Sequence, residues 1–371
     1  MQIGRPWRLC CIIVVAVVSA AMAQEPMGNL APALQPILTK HSTVPGMVAA
    51  IVENDGVSAI GAVGVRKAGT NVPFTANDQI HLGSDTKAMT ALLIGQLIDE
   101  KKLSFDSTVA QIFPDLAEKM NPRAAAVTVM DLMHHRAGLP HDLDWHAIDR
   151  TGKPMIEQRR MAVQRAFAAQ PESTPGSKFA YSNVGYVVLG AIVEKLRAKP
   201  WEVVIKERVF DTLGMSSAGF GPPGQIGKIE QPWGHVLGDG VATPIQQDNL
   251  PVMGPAGRVH CSIFDWAKFI SLYLDAAQGK PRLISAQMFS ELTDPGSDGD
   301  YAGGWMVAQR AWGGGTVLTH AGSNTMWYCV AWVAPKRGFA VLSAVNIGGD
   351  DAAQACDDAA GAMIGREKPS R

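Results

Sequence analysis

The strand-like segments of this chain lie near its two ends, and helix-like segments fill the space between. That placement constrains the fold more than any other feature. Gly46 to Glu53 is a run of small and β-branched residues followed by Asn54-Asp55-Gly56, a strong hairpin turn, and Val57 to Val65 has the character of a second strand. Near the other end, Thr316 to Thr319, Met326 to Val333 and Phe339 to Val345 are strand-like, with Pro335-Lys336-Arg337-Gly338 turning between the last two. Asp351 to Ile364 is expected as a closing helix. The middle is helix-rich and broken by Pro and Gly, with helices expected at Val127 to His135 and Val184 to Ala198. Alternation of strand and helix is missing, so the fold class is α+β rather than doubly wound. The expected architecture is an antiparallel sheet built from both chain ends, flanked by helices, with a helix-rich insertion beside it. We expect one domain over residues 24–371, with the sheet part in about 24–100 and 256–371 and the helical part in about 101–255.

Residues 1–23 are set apart by their pattern. Arg5 and Arg8 precede an apolar run from Leu9 to Ala21, and Ala21-Met22-Ala23 is a small-residue cleavage pattern. That reads as a secretory signal peptide cut before Gln24, because the run is shorter than the roughly 20 residues a spanning helix needs. The expected location is periplasmic or secreted, with no stable membrane span after cleavage. Export implies an oxidising compartment. Cleavage leaves Cys261, Cys329 and Cys356, an odd count that permits at most one internal disulfide. The formal net charge of -1 and the lack of basic runs argue against nucleic acid as a partner. Nothing in the pattern sets an oligomeric state.

Three short segments carry candidate chemistry. Ser84 to Lys101 is expected as a helix, with Met89, Leu92, Leu93, Gln96, Leu97 and Glu100 at helical spacing and one apolar stripe. Residues three apart on a helix share a face, so Lys87 is expected one turn below the Ser84 hydroxyl. A serine hydroxyl needs a nearby base before it becomes a useful nucleophile. The backbone N–H of Ser84, at the positive end of the helix dipole, suits an oxyanion. Tyr181-Ser182-Asn183 falls in a turn just before a helix, where phenol and amide can face one cleft. A phenol has a reference pKa of about 10. A cationic Lys87 beside Tyr181 is expected to favour the phenolate. His320-Ala321-Gly322 follows the strand Thr316 to Thr319. Gly322 would let a substrate approach the backbone, and the N–H of Ser323 could be a second oxyanion donor.

These segments occur in one order with wide spacing, and others accompany them. Ile80 to Lys87, Leu132 to Leu139, Pro175-Gly176 through Tyr181-Ser182-Asn183 to Leu189-Gly190, Leu213-Gly214-Met215, Pro255-Ala256-Gly257 and His320-Ala321-Gly322 form an ordered series. Together they resemble the serine β-lactamase/DD-peptidase superfamily, and most of all its class C-like branch of β-lactamases, D-aminopeptidases, DD-carboxypeptidases and esterases. The resemblance implies a β-lactamase/transpeptidase-like fold with Ser84 as the acylated nucleophile and proton work shared by Lys87 and Tyr181. It implies that Asn183 contacts the acyl side of the substrate, with His320 and Gly322 on the substrate-facing strand. It implies an oxyanion hole from the N–H groups of Ser84 and Ser323. It also implies no metal and no cofactor, and a small-molecule ester, peptide or β-lactam substrate.

One departure bears on substrate. Class C β-lactamases carry Lys-Thr-Gly on the strand, where this chain has His320-Ala321-Gly322. A histidine is mostly neutral at pH 7 by its reference pKa of about 6.5, and Ala321 has no hydroxyl. Both changes weaken carboxylate recognition. The leading expectation is therefore an esterase or D-amino acid peptidase. A true β-lactamase or DD-carboxypeptidase comes second, and a penicillin-binding sensor or structural member third. Gly-x-Ser-x-Gly, His-Glu-x-x-His and Cys-x-x-Cys are absent, and the spacing of His134, His135, His141 and His146 matches no metal site.

Overall fold

The computed structural model describes Met1 and residues 27–367, apart from residues 55 and 298. The expected cleavage segment up to Gln24 lies outside the described residues. The fold is α+β. Its main sheet has eight strands, in the order Gly28–Asn29, Gly56–Gly64, Gly46–Glu53, Phe339–Val345, Tyr328–Ala334, Gly315–Ser323, Trp305–Arg310 and Tyr301–Ala302. Neighbours are antiparallel except the short first strand, which runs parallel to Gly56–Gly64. The Gly46–Glu53 and Phe339–Val345 strands pair at the centre, which joins the two ends of the chain.

The alternation of side chains explains why helices cover both faces. Met47, Ala49 and Ile51 face a cluster containing Leu34 of helix Ala31–Lys40 and Ala355, Ala359 and Met363 of helix Asp350–Ile364. Val48, Ala50 and Val52 face the opposite cluster, with Ile263, Phe269 and Ile270 of helix Ile263–Ala277. Successive strand residues point to opposite faces, so an unbroken apolar strand requires cover on both sides.

The structure corrects four expectations. The helix carrying Lys87 runs Thr86–Asp99 and is buried on every side from Thr86 to Leu97, not along one stripe. It packs against helices Asn183–Arg197, Gly254–Gly257 and Ala286–Leu292. The strand near residue 316 runs on to Ser323, so His320, Ala321, Gly322 and Ser323 lie within it. The strand expected at Met326 to Val333 is Tyr328–Ala334. The middle of the chain also holds a two-stranded hairpin, Gly234–Gly238 with Val241–Ile245. Its turn is Asp239-Gly240, both at positive φ (48° and 75°), the geometry that Asp-Gly favours. Among the described residues, no helix is long and apolar enough to cross a membrane. Cys261, Cys329 and Cys356 are free and buried.

Candidate active site

Ser84 sits in a short 3-10 turn, Gly83–Asp85, that leads into helix Thr86–Asp99. The turn lies against the end of strand Gly315–Ser323, and two glycines allow the approach. A Cβ on Gly322 would stand 2.0 Å from the Leu82 carbonyl oxygen. A Cβ on Gly83, whose φ is +48°, would stand 2.3 Å from the Ser323 nitrogen. Gly322 is buried and makes room for the nucleophile turn rather than for a substrate. Ser84 and Ser323 consequently line one cleft, together with Tyr181, Asn183, Asn249 and Asn324.

Lys87 is fully buried at the base of this cleft. Its Nζ lies 3.0 Å from Ser84 Oγ, 2.9 Å from Asn183 Oδ1 and 2.7 Å from the Ala256 carbonyl oxygen. Burial lowers its pKa to about 7, against the opposing pull of the Asp142 and Asp85 charges. A neutral amine keeps two N–H bonds for Asn183 and Ala256 and turns its lone pair toward the hydroxyl of Ser84.

Tyr181 lies within hydrogen-bonding reach of Ser84, and Lys87 Nζ is 4.8 Å from its ring centre. Burial pushes the phenol pKa up, so Tyr181 stays neutral. The expected phenolate is therefore corrected. Desolvation opposes charge on both Lys87 and Tyr181, and the Asp85 and Asp142 carboxylates further disfavour a phenolate.

The backbone around Tyr181 is held from the segment near residue 135. The Ser182 N–H donates to His135 Nδ1 at 3.1 Å, and Ser182 Oγ donates to the Pro140 carbonyl at 2.6 Å. Ser182 also caps helix Asn183–Arg197 by accepting from the Gly185 N–H. The His135 ring lies 4.3 Å from the Tyr181 ring, and burial drives its pKa well below the ordinary value. A neutral histidine is thus the packing partner of the phenol.

His320 does not line the cleft. It is 5% exposed, and its Nε2 sits 3.0 Å from the Tyr301 hydroxyl. Its Nδ1 faces Asp85 Oδ1 at 3.5 Å. Asp85 is buried just after the nucleophile, and its Oδ2 accepts from Cys329 Sγ at 3.0 Å. The strand alternation that buries His320 and Gly322 leaves Ala321 and Ser323 exposed.

Sequence reasoning missed the residues that complete the cleft. Asp142 receives Trp145 Nε1 at 2.8 Å and Asn183 Nδ2 at 3.2 Å on Oδ1, and His141 Nδ1 lies 2.5 Å from Oδ2. Asp248 is buried between His81 Nε2 (2.9 Å), Arg258 Nε (3.2 Å) and Asn324 Nδ2 (2.9 Å). It ties the strand-end loop to the loop that carries Asn249. The turn signal Gly138-Leu139-Pro140 marked the approach to Asp142, but no local pattern aimed its carboxylate at residue 183. Among the described residues, no group of three His, Cys, Asp or Glu side chains could hold a metal.

A serine and a buried lysine three residues apart, opening a helix against the end of an interior sheet strand, fit the serine β-lactamase/transpeptidase fold class. The chain belongs to the Beta-lactamase family, whose model matches residues 22–362. It is 30% identical over 253 residues to Penicillin-binding protein 4 of Amycolatopsis lactamdurans, covering 67% of this chain and 64% of the relative. The chain spans less than two thirds of the length of three curated relatives it matches. The D-amino acid amidase of Ochrobactrum anthropi SV3 has the same fold, with a TM-score of 0.70 and 22% identity over 90% of this chain and 98% of that one. The octameric penicillin-binding protein homologue of Pyrococcus abyssi superposes with a TM-score of 0.73 at 23% identity, over 90% of this chain and 76% of that one.

Proposed function

We propose that this protein is an exported serine hydrolase that cleaves an ester or amide through an acyl-enzyme on Ser84. The supporting observation is the buried Lys87 amine, 3.0 Å from Ser84 Oγ and with a pKa near neutrality. Neutral Lys87 takes the hydroxyl proton as Ser84 Oγ bonds to the substrate carbonyl carbon. The N–H groups of Ser84 and Ser323 receive the negative charge that develops on the carbonyl oxygen. Neutral Tyr181 hands its proton to the leaving alcohol or amine and regains one from Lys87. Water then attacks the acyl carbon, loses its proton to the same pair, and returns Ser84 Oγ–H and free acid.

The leading substrate type is an uncharged or D-amino acid ester or amide. Two things support it: the cleft has no strand lysine to meet a carboxylate, and a D-amino acid amidase shares the fold. β-Lactamase or DD-carboxypeptidase activity is the second reading, favoured by the name of the Amycolatopsis relative. A penicillin sensor would form the same adduct and stop there.

The test is labelling by a fluorophosphonate and turnover of p-nitrophenyl butyrate, with wild type beside Ser84→Ala. Wild type should label and turn over ester, and Ser84→Ala should do neither. A wild type inert to both sinks the hydrolase reading, and labelling that survives Ser84→Ala misplaces the nucleophile. A stable penicillin adduct without turnover supports the sensor. Secreted protein should begin at Gln24 by intact mass.

A further inference from the structure

One carboxylate behind the cleft reaches both segments that carry the oxyanion donors. The Asp248 side chain is 2% exposed. Its Oδ2 accepts from His81 Nε2 at 2.9 Å and from Arg258 Nε at 3.2 Å. Its Oδ1 accepts from Asn324 Nδ2 at 2.9 Å and from the Asn249 N–H at 2.7 Å. A carboxylate offers about four acceptor positions, and all are taken. Burial alone would raise its pKa, but His81, Asn324 and Arg258 outweigh that and hold it below the ordinary value.

Two of these arms end beside the reacting centre. The second ring nitrogen of His81, Nδ1, accepts the Gly83 N–H at 3.1 Å. That bond fixes the ring proton on Nε2, facing Asp248, and ties the carboxylate to the residue before Ser84. On the other side, Asn324 follows Ser323, and its Oδ1 accepts the Met326 N–H at 3.2 Å. The turn after Ser323 is tight. Thr325 has a φ of +71°, its N–H donates to Ser323 Oγ at 3.0 Å, and that hydroxyl donates to the Trp327 carbonyl at 2.7 Å. Packing of Gly83 against Ser323 already brings the two segments together. Contact alone does not aim two N–H bonds at one atom, and an oxyanion needs its donors within about 2.7–3.1 Å.

We propose that Asp248 is a positioning residue for the reaction: through His81 on one side and Asn324 on the other, it aligns the N–H groups of Ser84 and Ser323 on one oxyanion. This rests on the Ser84 acyl-enzyme reading above. Asp248 touches no reacting atom. Its effect is felt as the substrate carbonyl oxygen takes up charge, so it acts on kcat rather than on KM.

The competing explanation is that the carboxylate only stabilises the loops around it. The experiment separates the two with p-nitrophenyl butyrate and its analogue carrying C=S in place of C=O, assayed with wild type and with Asp248→Asn. The variant keeps the side-chain volume and one acceptor oxygen but turns an amide NH2 toward donors. Sulfur is the weaker hydrogen-bond acceptor, so the thiono ester depends less on the alignment of the two N–H groups. In Asp248→Asn, kcat for the oxygen ester should fall about ten- to a hundredfold with KM little changed, less than the loss from deleting an oxyanion donor outright. The thiono ester should lose less, so the oxygen-to-sulfur ratio of kcat/KM should drop. The pH midpoint set by Lys87 should stay where it is. Equal loss on both esters, no loss, or a moved midpoint overturns the inference, and with Ser84 still labelled by the fluorophosphonate the hydrolase reading stands. If wild type neither labels nor cleaves either ester, both fail. Should Asp248→Asn not fold, His81→Gln cuts the Gly83 arm alone and is read by the same ratio.

Discussion

Asp85 Oδ1 and His320 Nδ1 face each other at 3.5 Å, directly behind the nucleophile turn. That separation is at the outer limit of a hydrogen bond, yet both residues are buried and neither atom has a closer hydrogen-bond partner among the described residues. Burial raises the Asp85 pKa, while His320 and Cys329 pull it back down. The pair joins the Ser84 turn to the strand that ends at Ser323.

Removing the histidine should therefore be felt twice. His320→Ala takes one partner from the Asp85 carboxyl, which keeps Cys329, and one from the Tyr301 hydroxyl, which together costs about 1–3 kcal/mol. Urea denaturation should show that loss. Acylation by a neutral ester should slow with little change in KM, because His320 holds the turn and does not touch substrate. A variant with wild-type stability and kcat would show that the pair is inert.

The neutral form of Lys87 is the base, so activity should depend on pH through that group. With a pKa near 7, kcat/KM for an uncharged ester should rise with pH through a midpoint near 7 and level above it. Below the midpoint it should fall about tenfold per pH unit. Tyr181 should add no limb below the ordinary phenol range, because burial moves its pKa upward. Lys87→Arg keeps a permanent charge and should abolish acylation. A flat profile from about pH 5 to 9 would remove Lys87 from that role.

His41 makes a second pH-dependent device, far from the cleft. Its Nδ1 lies 2.6 Å from Asp351 and its Nε2 2.9 Å from Asp358, which ties helix Ala31–Lys40 to helix Asp350–Ile364. Burial alone would lower its pKa, but the two carboxylates outweigh that and raise it. A raised histidine contributes stability that is full below its unfolded value of about 6.5 and is lost as pH rises through the folded value. Asp358 is held down to about 2, by Lys40 first and His41 second. Its contribution is present above about pH 4 and is lost as pH falls toward 2. Thermal melts should show both contributions between about pH 4 and 6.5, and His41→Gln should flatten that maximum. Identical pH profiles for the two proteins would refute the assignment.

Much of the frame was legible from local pattern. Gly46 to Glu53 and Phe339 to Val345 are short, mostly apolar runs, and such runs declare strands without any partner being known. The Ser84–Lys87 spacing was readable because helix geometry is local. The Asp239-Gly240 hairpin signal is equally local, although it lies in a segment that is otherwise rich in helix. Asp142, Asp248 and Asn249 carried no such signal, because loops gain their meaning from what they fold against.

Local pattern sets the α+β class, the chain ends as the source of the sheet, and the serine-lysine pair one helical turn apart. Each follows from periodicity or from spacing within a few residues. Charge states and side-chain directions come only from packing. Whether Lys87 is a cation or a base depends on burial by distant segments, among them the Ala256 carbonyl 169 residues away. Whether His320 meets substrate or Asp85 depends on which sheet face strand Gly315–Ser323 turns toward the nucleophile. Desolvation and facing are properties of packed neighbours, and no residue carries them alone.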